Sequence, residues 1–204
     1  MTEAAPRRRG PGSRADENHP TRHQLVSAAL ELAQVRGLPG LSVSAVTQHA
    51  GVAKGTFYVH FPDRAAFLVA IHQAFHDRLL GQVLTAIDGL SPGAPRLLTA
   101  TTSYLDCCRA ASGVKAMLRE ARAEPLVHQE VLRRNAEAVD LLAEDFAAMG
   151  ADHPPYSARL FVAMVLETAI IELDADETVP PARAVLWRLA GVTAGSSTPS
   201  APSA

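Results

Sequence analysis

The sequence predicts an all-α protein, with a small N-terminal three-helix unit followed by a larger helical domain. Three observations predict it. Apolar residues recur at three- and four-residue spacing through most of the 204 residues. No stretch alternates with period two, as a half-buried strand would. Gly- and Pro-bearing breaks fall at intervals of helix length. A chain this long can bury a sizeable core, as one large domain or as a small one joined to a larger.

The elements follow in order. Residues 1–20 are rich in Pro, Gly and Arg and are expected to form a disordered basic arm. Thr21 reads as an N-cap; Leu25, Ala28, Ala29, Leu32, Ala33 and Val35 then recur at helical spacing until Gly37 ends the helix. Pro39-Gly40 is a stiff turn. Ser42 caps a short second helix with Ala45, Val46 and His49 facing inward, ended by Gly51. A third helix runs from about 53 to 59. Pro62 separates it from a fourth, whose stripe is Ala66, Phe67, Ala70, Ile71, Ala74, Phe75, Arg78 and Leu79. Helical patterns follow at 94–111, 114–122, 126–148, 156–173 and 181–191, and residues 195–204 read as a disordered tail. Between Ala158 and Ile171 only Arg159, Glu167 and Thr168 are polar, so that helix must be buried on nearly all sides. The last helix carries Val185, Leu186 and Leu189. Together the two predict a two-fold homodimer joined by a four-helix interface.

Charge is distributed unevenly. Residues 1–64 hold eight Lys or Arg against five Asp or Glu, a net +3, whereas the remainder is −5. A basic N-terminal third suits a part that faces phosphate. Cys107 and Cys108 are adjacent and point apart on a helix, so no disulfide framework is expected and a reducing cytoplasm is. The longest apolar run, Leu160 to Leu166, is too short to span a bilayer, and Arg7-Arg8-Arg9 precedes no apolar stretch that would make a signal peptide.

The segment Gly51-Val52-Ala53-Lys54-Gly55-Thr56-Phe57-Tyr58-Val59-His60-Phe61 carries the functional signal. A short helix, a Gly turn and a second short helix with a polar face are the parts of a helix-turn-helix reader of DNA. The major groove admits one helix. Its leading turn must be small to approach closely, which Ala53 and Gly55 satisfy. It needs a cation, hydroxyls and polar aromatic tips for phosphates and base edges, which Lys54, Thr56, Tyr58 and His60 supply. Phe57 and Phe61, four apart, can hold its other side to the core.

Residues 25–70 resemble the DNA-binding domain of the TetR family of bacterial transcriptional regulators. Leu25 to Gly37 looks like the family's first helix, and Ser42 to Arg64 like its helix-turn-helix and the start of its fourth helix. The resemblance implies a helix-turn-helix domain at 21–66 and a helical ligand-binding and dimerisation domain at 67–194. It implies a regulator, most simply a repressor, that holds a near-palindromic double-stranded operator as a homodimer and is released by a small-molecule inducer. Ser42 would meet a phosphate; Ser44 and Thr47 would lie near the groove edge. Lys54, Gly55 and Thr56 would face bases or phosphates, Tyr58 and His60 would hold the DNA backbone, and Arg64 would contact phosphate where the family usually has Lys. Ala53 departs from the family's frequent Ser, which removes one capping and phosphate-binding hydroxyl. The N-terminal Arg run could add phosphate contacts.

For the ligand, His72, Phe75, His76, Tyr104, Met117, His128, Phe161, Met164 and Trp187 are the expected lining, suited to an apolar molecule with one or two polar handles. His72 and His76, four apart, share a helix face but lack a third ligand in sequence, so no metal and no cofactor is expected. Arg109 is the one cation flanking the cysteines, a weak case for redox sensing. Glu172, Asp174, Asp176 and Glu177 read as a solvated loop rather than a cation loop, which needs a glycine. No phosphate-cradling loop, nucleophile elbow or catalytic set appears, so no enzyme is expected. Two other readings stay open at this point: a helical protein acting through a protein partner without DNA, and a small metal-dependent helical enzyme.

Overall fold

The computed structural model describes residues 19–192, so the N-terminal Arg run and the 195–204 segment lie outside the described residues. Among the described residues the regular structure is helical: α1 (Pro20–Arg36), α2 (Val43–His49), α3 (Lys54–His60), α4 (Arg64–Ala86), α5 (Ala94–Ala110), α6 (Ser112–Ala121), α7 (Pro125–Ala148), α8 (Pro154–Ala175) and α9 (Pro180–Leu189), with a 3-10 turn at Leu38–Gly40. The expected all-α class holds. None of these helices is long and apolar enough to cross a membrane.

The residues group into two compact units. The first comprises those up to Leu79 with Ala111–Arg134, and the second Leu80–Ala110 with Asn135 onward. Helices α4 and α7 therefore contribute residues to both. The resemblance implies consecutive segments divided near residue 66; in this grouping α6 clusters with the N-terminal helices.

In the first unit, α1 starts earlier than its sequence suggests. Pro20 occupies the first turn, where its missing N–H costs nothing, and the Thr21 N–H donates to His19 Nδ1 (3.1 Å), so His19 rather than Thr21 is the cap. Leu25, Ala29, Leu32 and Ala33 of α1 are buried, as are Val46, Phe57, Phe61, Phe67, Leu68 and Ile71. Three phenylalanines form the aromatic centre: Phe57 lies 5.3 Å from Phe61 and 4.9 Å from Phe67, and Phe61 lies 4.8 Å from Phe67. The Arg22 guanidinium sits 4.5 Å over the Phe61 ring and ties α1 to the end of α3. Helix α6 meets the C-terminal end of α1 so closely that a Cβ at Gly113 would lie 2.3 Å from the Gln34 carbonyl oxygen. Only glycine fits there, and the Val114 N–H donates to Gln34 Oε1 (3.3 Å) beside it.

In the second unit, two buried ion pairs fasten the helices. Arg96 of α5 donates through Nε to Asp145 of α7 (2.7 Å), which also accepts the Gly93 N–H (2.9 Å) and so caps the start of α5. Arg183 of α9 grips Glu172 of α8 with two bonds (2.6 and 2.9 Å) and reaches Asp106 of α5 (2.8 Å). Glu172 is thus a buried anchor, not part of a solvated loop; Asp174, Asp176 and Glu177 are exposed. Burial raises the Glu172 pKa, but the hydrogen bonds from Arg183 and the Val179 N–H outweigh it and hold the carboxyl below its ordinary range.

Helix α8 buries only part of its circumference in this unit. Ala158, Phe161, Val162, Val165, Ala169 and Glu172 face inward, while Tyr156, Leu160 and Ile171 are exposed. Val185 and Leu189 of α9 are exposed as well, and Leu186 is buried. The all-round burial expected of α8 is therefore not met within the single chain.

Candidate nucleic-acid interface

The helix-turn-helix is set by its caps. The Ala45 N–H donates to Ser42 Oγ (3.1 Å) and starts α2, as the sequence predicts. At the other end Gly51 takes a left-handed conformation (φ 67°); its N–H donates to Gln48 O (3.2 Å), and the Val52 N–H donates to Thr47 O (3.0 Å). This paired reversal stops α2 and aims the chain into α3, and it requires a residue free to adopt positive φ. Two cross-links hold α2 to α1: Gln24 Nε2 donates to the Ala50 carbonyl (2.7 Å), and His49 Nε2 bonds Glu31 Oε2 (2.7 Å). His49 is thus exposed and paired, not an inward residue, and Ala45 is half-buried. Ala53 occupies the cap of α3 with no side-chain hydrogen bond, as its missing hydroxyl dictates. After α3, Asp63 Oδ1 accepts the Ala66 N–H (2.8 Å) and starts α4.

Helix α3 then presents two opposed faces. Phe57 and Phe61 are buried in the aromatic centre. Lys54, Gly55 and Tyr58 are exposed and Thr56 is half-exposed, so these predicted DNA-facing residues share the outward side. Ser42, Ser44 and Arg64 are also exposed. Ser42 Oγ accepts the helix cap but keeps its own proton to donate.

Two predicted contacts sit elsewhere. Thr47 is buried, and its hydroxyl donates back to the Val43 carbonyl (2.9 Å) of its own helix. His60 is 7 % exposed, with its ring 4.8 Å from that of His19. Helix phase explains both. His60 lies three residues after Phe57 and so shares its inward side, and Thr47 lies three residues before buried Ala50 on the inner side of α2.

The predicted ligand-lining residues fall into two groups. His72, Phe75, His76, Met117 and His128 belong to the first unit, and Tyr104, Phe161, Met164 and Trp187 to the second. In the first, the His72 and His76 rings stack 4.2 Å apart and Phe75 meets His76 edge-on (5.3 Å). Met117 is fully buried, whereas His128 is exposed. In the second, the Phe161 and Trp187 rings are 6.4 Å apart.

Sequence reasoning missed the polar groups around the histidines. Lys115 and Glu130 are both buried. Arg133 and Arg134 bond Glu130 from one turn away, Arg134 through Nε at 3.0 Å, and these hydrogen bonds, Arg133's first, bring the carboxyl down to about 2 against the opposing effect of burial. The spacing of Glu130, Arg133 and Arg134 was the available signal. Burial, helped by Lys115, Arg134 and Arg122 and opposed by Glu130, lowers His72 from 6.5 to about 4. Burial and the neighbouring His72 lower His76 to about 2. Both imidazoles are therefore neutral near pH 7, each with one donor and one acceptor nitrogen. The Nδ1 of His72 is buried without a hydrogen-bond partner. Among the described residues, no group of three or more His, Cys, Asp or Glu could hold a metal ion. Cys107 and Cys108 are not in a disulfide, and Cys107 donates to Gln82 Oε1 (2.9 Å).

Comparison with known proteins bears on this geometry. The family model described as "Bacterial regulatory proteins, tetR family" matches residues 25–71, the span from α1 through the turn into α4. Over this N-terminal stretch the chain is similar to the DNA-binding domain of that family. An uncharacterized HTH-type transcriptional regulator, YvdT of Bacillus subtilis, is 32% identical over 66 residues, covering 32% of this chain and 34% of the relative. The HTH-type transcriptional repressor NemR of Escherichia coli is 37% identical over 65 residues, covering 30% and 33%. The matched region thus spans about a third of the length of these curated relatives. A TetR-family regulator from Rhodococcus sp. extends the likeness in fold to the helices beyond it, with a TM-score of 0.72 at 23% identity over 85% of this chain and 98% of that one.

Proposed function

We propose that the chain is a transcriptional regulator, a repressor, that binds a near-palindromic operator as a homodimer and is released by a small molecule. One observation carries the reading: α3 is anchored by Phe57 and Phe61 on one side and turns Lys54, Gly55 and Tyr58 outward on the other. That arrangement suits a helix inserted into a major groove, with Lys54 and Tyr58 for phosphates and base edges, Gly55 for close approach, and Thr56 at the flank. Ser42, Ser44 and Arg64 would contact phosphates beside it. Thr47 and His60 serve the fold of the head instead. Two heads on one operator would enter grooves about 34–36 Å apart or a little more.

The second copy would cover the exposed faces of α8 and α9, where Tyr156, Leu160, Ile171, Val185 and Leu189 stand in water in the single chain. The inducer would be largely apolar with one or two polar handles. In the first unit, His72, Phe75, His76 and Met117 are the residues proposed to meet it, the neutral imidazoles supplying the polar contact. To release DNA, the inducer must bind the DNA-incompetent state more tightly than the competent one.

The test is a gel shift of the full chain at fixed salt against the DNA upstream of its own gene, with scrambled duplex as competitor, followed by site selection from random DNA. Sequence-dependent binding that Lys54→Ala and Tyr58→Ala abolish, without loss of the dimer, supports the reading. Binding no better than to scrambled DNA in both formats refutes it.

A further inference from the structure

Helix α3 makes two choices that its own fold does not require. At about 100° per residue, the inward side is set by Phe57, His60 and Phe61. The direction straight away from that side passes between Gly55 and Val59, one turn apart, with Lys54 and Tyr58 on one flank and Thr56 on the other. Gly55 has ordinary helical φ, and a Cβ built on it meets nothing within 4 Å. Neither backbone conformation nor internal packing asks for glycine there, in contrast to Gly51 and Gly113. Val59 is 40 % exposed. A β-branched apolar side chain on the water-facing side of a seven-residue helix is a poor choice for helix propensity and solvation alike. An outside surface that comes close at Gly55 and is apolar at Val59 accounts for both.

Resting on the DNA-binding reading above, we infer that Val59 is a specificity-determining residue whose methyl groups pack on the C5-methyl group of a thymine in each half-site. Of the groups that base edges show in the major groove, the thymine methyl is the apolar one; the rest are hydrogen-bond donors and acceptors that valine cannot satisfy. Gly55 lets the helix axis approach. Lys54 and Tyr58 hold the flank by charge and hydrogen bond. Val59, in the next turn, then meets the base edges with a side chain that distinguishes T from C and from uracil.

The experiment removes the methyl from either partner. Each thymine of the selected operator is replaced in turn by deoxyuridine, symmetrically in both half-sites, and affinity is read by fluorescence anisotropy at constant salt. With the natural protein, one position loses on the order of tenfold, because one buried methyl is lost per half-site. Val59→Ala, in an exposed position of a helix, keeps the fold and the thermal melt. It binds the thymine and deoxyuridine operators equally at that position while every other position behaves as before. Intact sequence-specific binding with an unchanged thymine-to-uracil ratio in Val59→Ala, or no sensitive thymine in the natural protein, overturns this assignment alone. Absence of any sequence-dependent binding overturns the regulator reading, and the assignment with it.

Discussion

Gly55→Ala is expected to stabilise the protein and to weaken its DNA binding. The two effects arise from the same missing methyl. Position 55 lies in the first turn of α3 with helical φ and open space where a Cβ would stand, so alanine meets no clash. Replacing glycine by alanine in a helix gains about 0.5–1 kcal/mol, because the unfolded chain loses freedom that it would otherwise give up on folding. For a chain of this size that raises the melting temperature by roughly 1–4 °C. In the complex the added methyl stands where the duplex must approach. Overpacking a close contact costs about 1–3 kcal/mol. Two heads on one operator double it to about 2–6 kcal/mol, which is about thirtyfold or more in Kd.

Gly81→Ala is the matched control. Gly81 lies within α4, also has ordinary helical φ, and likewise has nothing within 4 Å of a built Cβ. It should give a similar or larger gain in melting temperature and leave operator affinity unchanged. The assay is a thermal melt by circular dichroism beside anisotropy titrations at a single salt concentration. A Gly55→Ala protein that binds its operator within about twofold of the natural one would refute the close approach at α3. One that melts lower than the natural protein would refute the claim that the fold has no need of that glycine.

Three further outcomes are expected. Arg183→Met leaves Glu172 buried with the Val179 N–H as its hydrogen-bond partner, and should cost about 3–5 kcal/mol in urea unfolding, whereas Arg109→Ala, which loses a 3.9 Å contact to exposed Asp176 and a through-space attraction to Glu172 but no hydrogen bond to it, should cost less than Arg183→Met. Leu160→Glu combined with Leu189→Glu places charges on the exposed faces of α8 and α9 and should give a folded monomer by light scattering; a dimer of unchanged affinity would move the interface elsewhere. Stability should fall as pH drops from about 6.5 towards 4, since folded His72 and His76 stay neutral where the unfolded imidazoles take up protons; the slope is up to about 1.4 kcal/mol per pH unit for each ring. Glu130, held to about 2, loses its contribution only below its ordinary 4.5, so unfolding measured between pH 7.5 and 5 reports the histidines, and His72→Gln should flatten that slope.

Much of the fold was legible because its signals are local. Gly37, Ser42, Gly51 and the prolines act on their own neighbours, and they place the helix ends within a residue or two of where they fall. The first helix is the exception: Thr21 has the chemistry of a cap, but Pro20 suits the first turn and pushes the cap back to His19. What stayed hidden depends on which segments meet. Glu172 reads as one more acid in Glu172, Asp174, Asp176 and Glu177 until α9 brings Arg183 to it from eleven residues away. His72 and His76 read as a bare pair until Lys115 of α6 and Glu130 of α7 surround them. The interleaving of α6 with the N-terminal helices turns on Gly113, a residue that in sequence looks like any helix break.

The misplacements within the DNA-facing motif have one cause. Reading by residue type sends polar side chains outward and apolar ones to the core, and in α3 Tyr58 is exposed and Phe57 buried as that rule has it. At the next two positions chemistry and phase disagree. His60 has the chemistry for a phosphate but the phase of the core, so it is buried against His19. Val59 has the chemistry of the core but the phase of the outward side, so it is exposed. A helix cannot turn one residue without turning the rest: with Phe57 and Phe61 fixed in the aromatic centre, the directions of positions 59 and 60 follow from the 3.6-residue period alone. Where chemistry and phase disagree on an anchored helix, phase decides which side chain reaches the partner, and the chemistry then says what that partner must offer.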